Sequence, residues 1–211
     1  MTAEEIRKTY CETTLAQVIL CDMVTNESIS DPTRIRAVAH PLRITLLDVL
    51  ADEGAATATR CAELTGTTVA NCSFHLRTLA KHGYIERVDQ AGREKPWQLV
   101  QRGRRFMPDF EDPASIRATQ ELGAVQVAHE AERAQEWIRR AQTEDPQWIR
   151  ASTTASSSFW VTVEELAEIS REIEQLSARF VGRQEDPSAR PPGARRARLF
   201  ATTHVDPEEN P

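Results

Sequence analysis

Thr67, Thr68, Asn71, Ser73, His75 and Arg77 crowd into the first part of a stretch, residues 67 to 83, whose other positions are mostly apolar or small. Short hydroxyl and amide side chains at a helix start suit close approach to a phosphate or a base edge. The free amides and the helix dipole already favour an anion there. Arg77 and Lys81 add positive charge further along, and Val69 and Phe74 add apolar contact, for instance to a thymine methyl. The chemistry this set supports is DNA recognition. Its plainer use is an ordinary amphipathic helix with a solvated outer face.

Other chemistry finds less support. Cys11, Cys21, Cys61 and Cys72 are separated by 10, 40 and 11 positions, with no CxxC pair. Cys11 and Cys21 on one helix would stand ~15 Å apart. They fit reduced, mostly buried thiols. Cys72 and His75 are close enough in sequence to face one ion, but Cys72 belongs to the apolar side. His129 and Glu132 show an HxxE spacing, and two ligands do not make a site. Neither a metal nor a cofactor is expected. The chain has no GxSxG, HExxH or glycine-rich phosphate loop and only 8 glycines, and Glu164 and Glu165 read as a helix cap, so no enzyme is expected. Trp137, Trp148, Phe159 and Trp160 offer the lining of an apolar effector pocket, although filling a core is their commoner use.

The elements that must hold residues 67 to 83 follow from local signals. Thr67 or Thr68 caps the helix and Gly83 ends it, while Cys72, Leu76, Leu79 and Ala80 recur at helical spacing and face inward. Asp31-Pro32 starts a short helix, Thr33 to Ala39, and Pro41 opens a central core helix that carries Leu42, Ile44, Leu46, Leu47, Val49 and Leu50 to Gly54. Thr57 to Leu64 is a third helix, closed by Thr65-Gly66. A turn of about three residues before the next helix is helix-turn-helix spacing. Beyond Gly83 the period becomes two: Tyr84 to Val88 and Trp97 to Val100 form a β-hairpin around Asp89-Gln90-Ala91-Gly92, with Arg93 and Lys95 at its tip. Pro96 makes the return strand an edge strand or delays its start. Three helices and a basic hairpin are a winged helix.

The flanks read as helical. A stripe of Ile6, Tyr10, Leu15, Val18, Ile19 and Met23 predicts a helix over Ala3 to Met23 for core or dimer packing. Residues 112 to 144 form a long helix with a narrow seam of Ala124, Val127, Ala131, Ala134, Ile138 and Ala141. A second seam, Leu166, Ile169, Ile173, Leu176 and Phe180, follows a capping box at Thr162-Val163-Glu164-Glu165. Such seams serve a dimer interface or a hairpin of the two helices. Residues 149 to 161, rich in Ser and Thr, read as an extended strand or a partly ordered connector, 197 to 205 has strand composition and is expected to pair with that segment, and the last six residues are expected to fray. The expected fold is mainly α: an N-terminal helix over 1–30, a winged helix-turn-helix domain over 31–105, a helical dimerisation or effector region over 106–182, and a Pro-rich loop and tail over 183–211.

Charge separates these regions. Residues 31 to 105 hold 12 Lys+Arg against 8 Asp+Glu, a net of +4, whereas the rest holds 14 against 24, a net of −10. One basic module within acidic flanks is the footprint of a phosphate-binding segment. The N-terminus lacks a basic leader and no apolar run approaches the ~18 residues of a membrane span, so a cytoplasmic protein without membrane attachment is expected.

Four ordered motifs add a resemblance. Ala39-His40-Pro41-Leu42-Arg43-Ile44-Thr45-Leu46-Leu47, the element from Ala56 to Gly66, the run from Ser73 to Gly83, and the wing Gly92-Arg93-Glu94-Lys95-Pro96-Trp97 resemble those of ArsR-type transcriptional regulators. The match covers residues 33 to 100. Phe74 stands where many relatives carry Tyr, and Val69 where they often carry a polar residue. The resemblance implies a homodimeric regulator, a repressor on a roughly palindromic operator, with Thr67, Thr68, Val69, Asn71, Ser73, Phe74, His75, Arg77, Lys81, Arg93 and Lys95 against double-stranded DNA. A small-molecule effector and a metal-responsive repressor are the variants that the resemblance allows. A protein-interaction adaptor whose winged helix no longer touches DNA is the rival from another class, motivated by Val69, Phe74 and the net charge of −6.

Overall fold

The computed structural model describes residues 28–89, 95–101 and 104–207, and the chain divides into two units, 1–142 and 143–211. The helix expected over Ala3–Met23, with Cys11 and Cys21, lies outside the described residues. So do the wing tip with Arg93 and the last four residues.

In the first unit, each helix starts where a side chain can satisfy an amide. Asp31 accepts from the Arg34 amide at 2.6 Å and opens α1 (Pro32–Arg36), with proline in the first turn, where a missing amide costs nothing. It stops three residues short of the expected Ala39. Pro41 opens α2 (Pro41–Glu53), and the cap is the His40 imidazole, whose Nδ1 accepts from the Leu42 amide at 3.1 Å. Leu46 and Leu50 of α2 are fully buried, and Leu42, Ile44, Leu47 and Val49 pack half-buried around them. Gly54 ends α2 at φ 76°, a conformation that favours glycine. Thr57 caps α3 (Ala58–Thr65), and Thr68 caps α4 (Val69–Lys81), each through its hydroxyl. Each such cap contributes about 1 kcal/mol.

The hairpin forms as expected, from β3 (Ile85–Arg87) and β4 (Trp97–Leu99), antiparallel with Glu86 opposite Gln98. Of the two readings of Pro96, the delayed start holds and the edge position does not. The strand begins at Trp97, and it is central, because β2 (Ala55–Ala56) pairs with its other side in the order β2-β4-β3. A further pair, β1 (Ser28–Ile29) parallel to β5 (Arg105–Phe106), ties the two ends of the domain together.

The long helix is α5 (Pro113–Arg140), capped by Asp112 and followed by a 3-10 turn over Ala141–Thr143. Its first half lies on α1 with Ser115, Ala118 and Leu122 buried, and the Ser115 hydroxyl donates to the Ser30 carbonyl at 2.6 Å. Further on, Asp48 of α2 binds Arg133 at 2.7 Å and His129 at 3.2 Å. The expected seam is another face of this helix. Ala124, Ala131 and Ala134 are exposed there, as are Val127 at 48% and Ile138 at 61%.

The second unit contains α6 (Pro146–Ala151), α7 (Val163–Ala178) and α8 (Gly182–Glu185). The capping box is formed: the Glu165 carboxylate accepts from the Thr162 amide at 2.8 Å, and the Thr162 hydroxyl from the Glu165 amide at 3.2 Å. The expected pairing of 149–161 with 197–205 is not formed. Residues 149–151 complete α6, and Thr203 instead meets Ser170 of α7, hydroxyl to hydroxyl at 2.9 Å. Strand composition without an available ladder partner yields to local helix and side-chain contacts. Phe159 and Trp160 are exposed, the latter fully, so neither fills a core, and half-buried Trp148 lies beneath the Arg195 guanidinium. No helix among the described residues is long and apolar enough to cross a membrane.

Candidate nucleic-acid interface

The surface that presents residues 67 to 81 is built from its underside. α3 and α4 meet through Cys61 and Cys72, both fully buried, and the Thr65 hydroxyl lies 3.6 Å from the Cys72 sulfur. Burial pushes the Cys61 thiol up to about 11, with further contributions from Cys72 and Glu53. A thiol held protonated in an apolar core is a packing group, neither a nucleophile nor a ready metal ligand. Gly66, at φ 66°, then reverses the chain in the turn between the helices.

With Cys72, Leu76 and Leu79 anchored, the opposite face of α4 is open. Thr68 accepts from the Asn71 amide at 3.2 Å, and the Asn71 side-chain amide donates to the Thr67 hydroxyl at 3.1 Å. That bond orients Asn71 while leaving its carbonyl oxygen and a second N–H for an outside partner, the donor and acceptor pair that an adenine edge requires. Val69 and Phe74 are 43% and 58% exposed, Arg77 and Lys81 are exposed, and Ser73 is half-buried.

His75 is placed differently from the expectation. It is only 6% exposed and packs against His40, ring centroids 4.4 Å apart, with the Phe74 ring edge-on at 5.1 Å. It lies between Cys72 and Leu79 at helical spacing, so it shares their inward face and does not reach a base edge. Burial lowers its pKa first, then the neighbouring His40 and Arg43.

At the root of the wing, Arg87 stacks on the Trp97 ring at 3.7 Å and donates to the Lys95 carbonyl, while the Lys95 ammonium pairs with Asp89 at 2.8 Å. This pair is exposed, and such surface bridges contribute about 0–1 kcal/mol, so Asp89 holds Lys95 only weakly.

Residues 38–88, which span α2, the turn and β3, match the family model described as a helix-turn-helix domain. This part of the chain is a helix-turn-helix domain. No curated protein matches the chain. Among solved structures, it is similar to the solution structure of the homodimeric winged helix-turn-helix DNA-binding domain (fragment 1–100) of a possible ArsR-family transcriptional regulator from Mycobacterium bovis. The two share 20% identity over 56% of this chain and 83% of that one, with a TM-score of 0.30.

In and beside the helix-turn-helix domain, three features leave no local trace in the sequence. Arg87 stands beside the motifs, and only the pairing of β3 with β4 brings it over Trp97. Arg104 stacks on the Tyr84 ring at 5.2 Å and donates to the Tyr84 carbonyl at 3.0 Å, while the Tyr84 hydroxyl donates to the Arg34 carbonyl at 2.8 Å. These contacts fix the start of the wing. His40 is a motif residue, but nothing in its spacing announces a contact with His75. Among the described residues, no group of three His, Cys, Asp or Glu is placed to hold a metal ion.

Proposed function

We propose that this chain is a sequence-specific transcriptional regulator that binds double-stranded DNA as a homodimer, a repressor on a roughly palindromic operator. The observation that carries this reading is the N-terminal half of α4. Thr67, Thr68 and Asn71 form one hydrogen-bonded polar set on an open helix start, above an underside that is fully buried. Asn71, Thr68, Val69 and Ser73 contact base edges, and Arg77 and Lys81, with Arg93 and Lys95 of the wing, contact phosphates. The seam of α5 supports the dimer, because Val127 and Ile138 on it are large apolar side chains left 48% and 61% exposed. Two such domains place their recognition helices in successive major grooves, ~34 Å apart.

Equilibrium binding to duplex DNA over a range of salt tests the reading. Affinity falls steeply with salt, and Arg93→Ala with Lys95→Ala weakens binding to every duplex and flattens the slope by about one unit for each lost phosphate contact. An unchanged slope removes the wing from the interface. The exposure of Phe74, at 58%, favours one second reading, an adaptor that docks a protein on this face. Absence of salt-sensitive binding to any duplex selects it.

A further inference from the structure

We propose that the contact between the His40 and His75 imidazoles is an acid-labile clasp, which holds the recognition helix α4 on α2 at neutral pH and loosens when the pH falls. This proposal rests on the DNA-binding reading only for its consequence.

The geometry requires both rings to be neutral. His40 caps α2 by accepting the Leu42 amide at Nδ1, 3.1 Å away, and a protonated imidazole has no acceptor nitrogen left. Protonation therefore removes the cap outright. His75 packs on that ring at 4.4 Å, is 6% exposed, and its Nδ1 is buried with no hydrogen-bond partner. A proton added there meets no acceptor.

The charged surroundings act in the same direction. From α2, Arg43 faces the pair, its Nε buried without a partner and its Nη2 donating to the Arg36 carbonyl of α1 at 3.2 Å. The Arg36 guanidinium itself turns to Glu121 of α5, at 3.5 Å. From α4, Phe74 contributes only a ring edge. The electrostatic contributions at His75 come from His40 and Arg43, and at His40 from Arg43, and all of them oppose a proton. Both pKa values lie below the ordinary 6.5, with burial the largest cause. The sign follows. The unfolded chain takes up protons below 6.5 while the folded one resists, so the folding equilibrium loses up to about tenfold per histidine for each pH unit below that value, until the folded pKa is passed. Above 6.5 the clasp contributes fully.

The test compares the full chain with a His40→Asn/His75→Gln double variant between pH 8 and pH 5.5. Asn keeps a cap at position 40 without titrating, and the other three histidines, His82, His129 and His204, remain as an internal control. The melting temperature of the wild type falls more steeply below pH 6.5 than that of the double variant, and its affinity for a selected duplex falls about tenfold further over the same range. Superimposable melting profiles overturn the proposal. The imidazole resonances of the wild type supply a readout that needs neither DNA nor a variant. His40 and His75 titrate below the ordinary 6.5 if the clasp exists, and at or above it if it does not. Failure to bind DNA at any pH overturns the regulator reading alone, while the resonances and melting profiles still decide the clasp.

Discussion

Asn71 is the residue on which the proposed readout depends most. Its side-chain amide is already held by Thr67 at 3.1 Å, so its remaining donor and acceptor are presented on the open face of α4 in a fixed orientation. Asn71→Ala removes a base contact and leaves the helix cap at Thr68 intact. Discrimination at one position of each half-site is expected to fall by about 1–3 kcal/mol, with melting almost unchanged, as competition binding between single-base operator variants will measure. Most of this face was legible in the sequence, because capping, period and polarity agree there. His75 shows why part of it was not. Its imidazole suits base recognition by residue type, yet its position between Cys72 and Leu79 places it inward, and position decides. Its partner His40 lies far away in sequence, and such a contact leaves no local trace.

At the level of elements, the three helices and the hairpin were legible because each carries a start signal, a period and a stop. β1, β2 and β5 were not, since two residues cannot display an alternation of period two. α6 was hidden behind strand-like composition, although Asp145-Pro146 repeats the start signal of α1. The contact of α5 with α2 was equally invisible, because it runs through Asp48, an ordinary polar position on a core helix. Asp48 binds Arg133 and His129 with its side chain only 24% exposed, so the bridge is better shielded than a surface pair. Asp48→Asn is expected to cost about 1–3 kcal/mol in chemical denaturation, by weakening charge-assisted bonds between α2 and α5. On the opposite part of α5, Val127 and Ile138 are exposed, and placing Asp at both is expected to alter folding stability by only ~0.5 kcal/mol each. If the chain is the proposed dimer, the double variant is a monomer in light scattering. A variant that remains dimeric moves the interface to another surface.

Across the whole molecule, the basic segment 31–105, net +4, contains the helix-turn-helix domain, while the remaining residues carry −10. This division matters for binding, because long-range attraction to DNA acts through the nearer charges and is screened over ~8 Å at physiological ionic strength. The central claim is that paired α4 helices read a two-fold symmetric duplex, and selection from random double-stranded DNA by the full chain tests it most directly. The account predicts an enriched motif of two inverted half-sites, about 10 base pairs centre to centre, whose bound population falls as salt rises. A library without enrichment at low or moderate salt would contradict it.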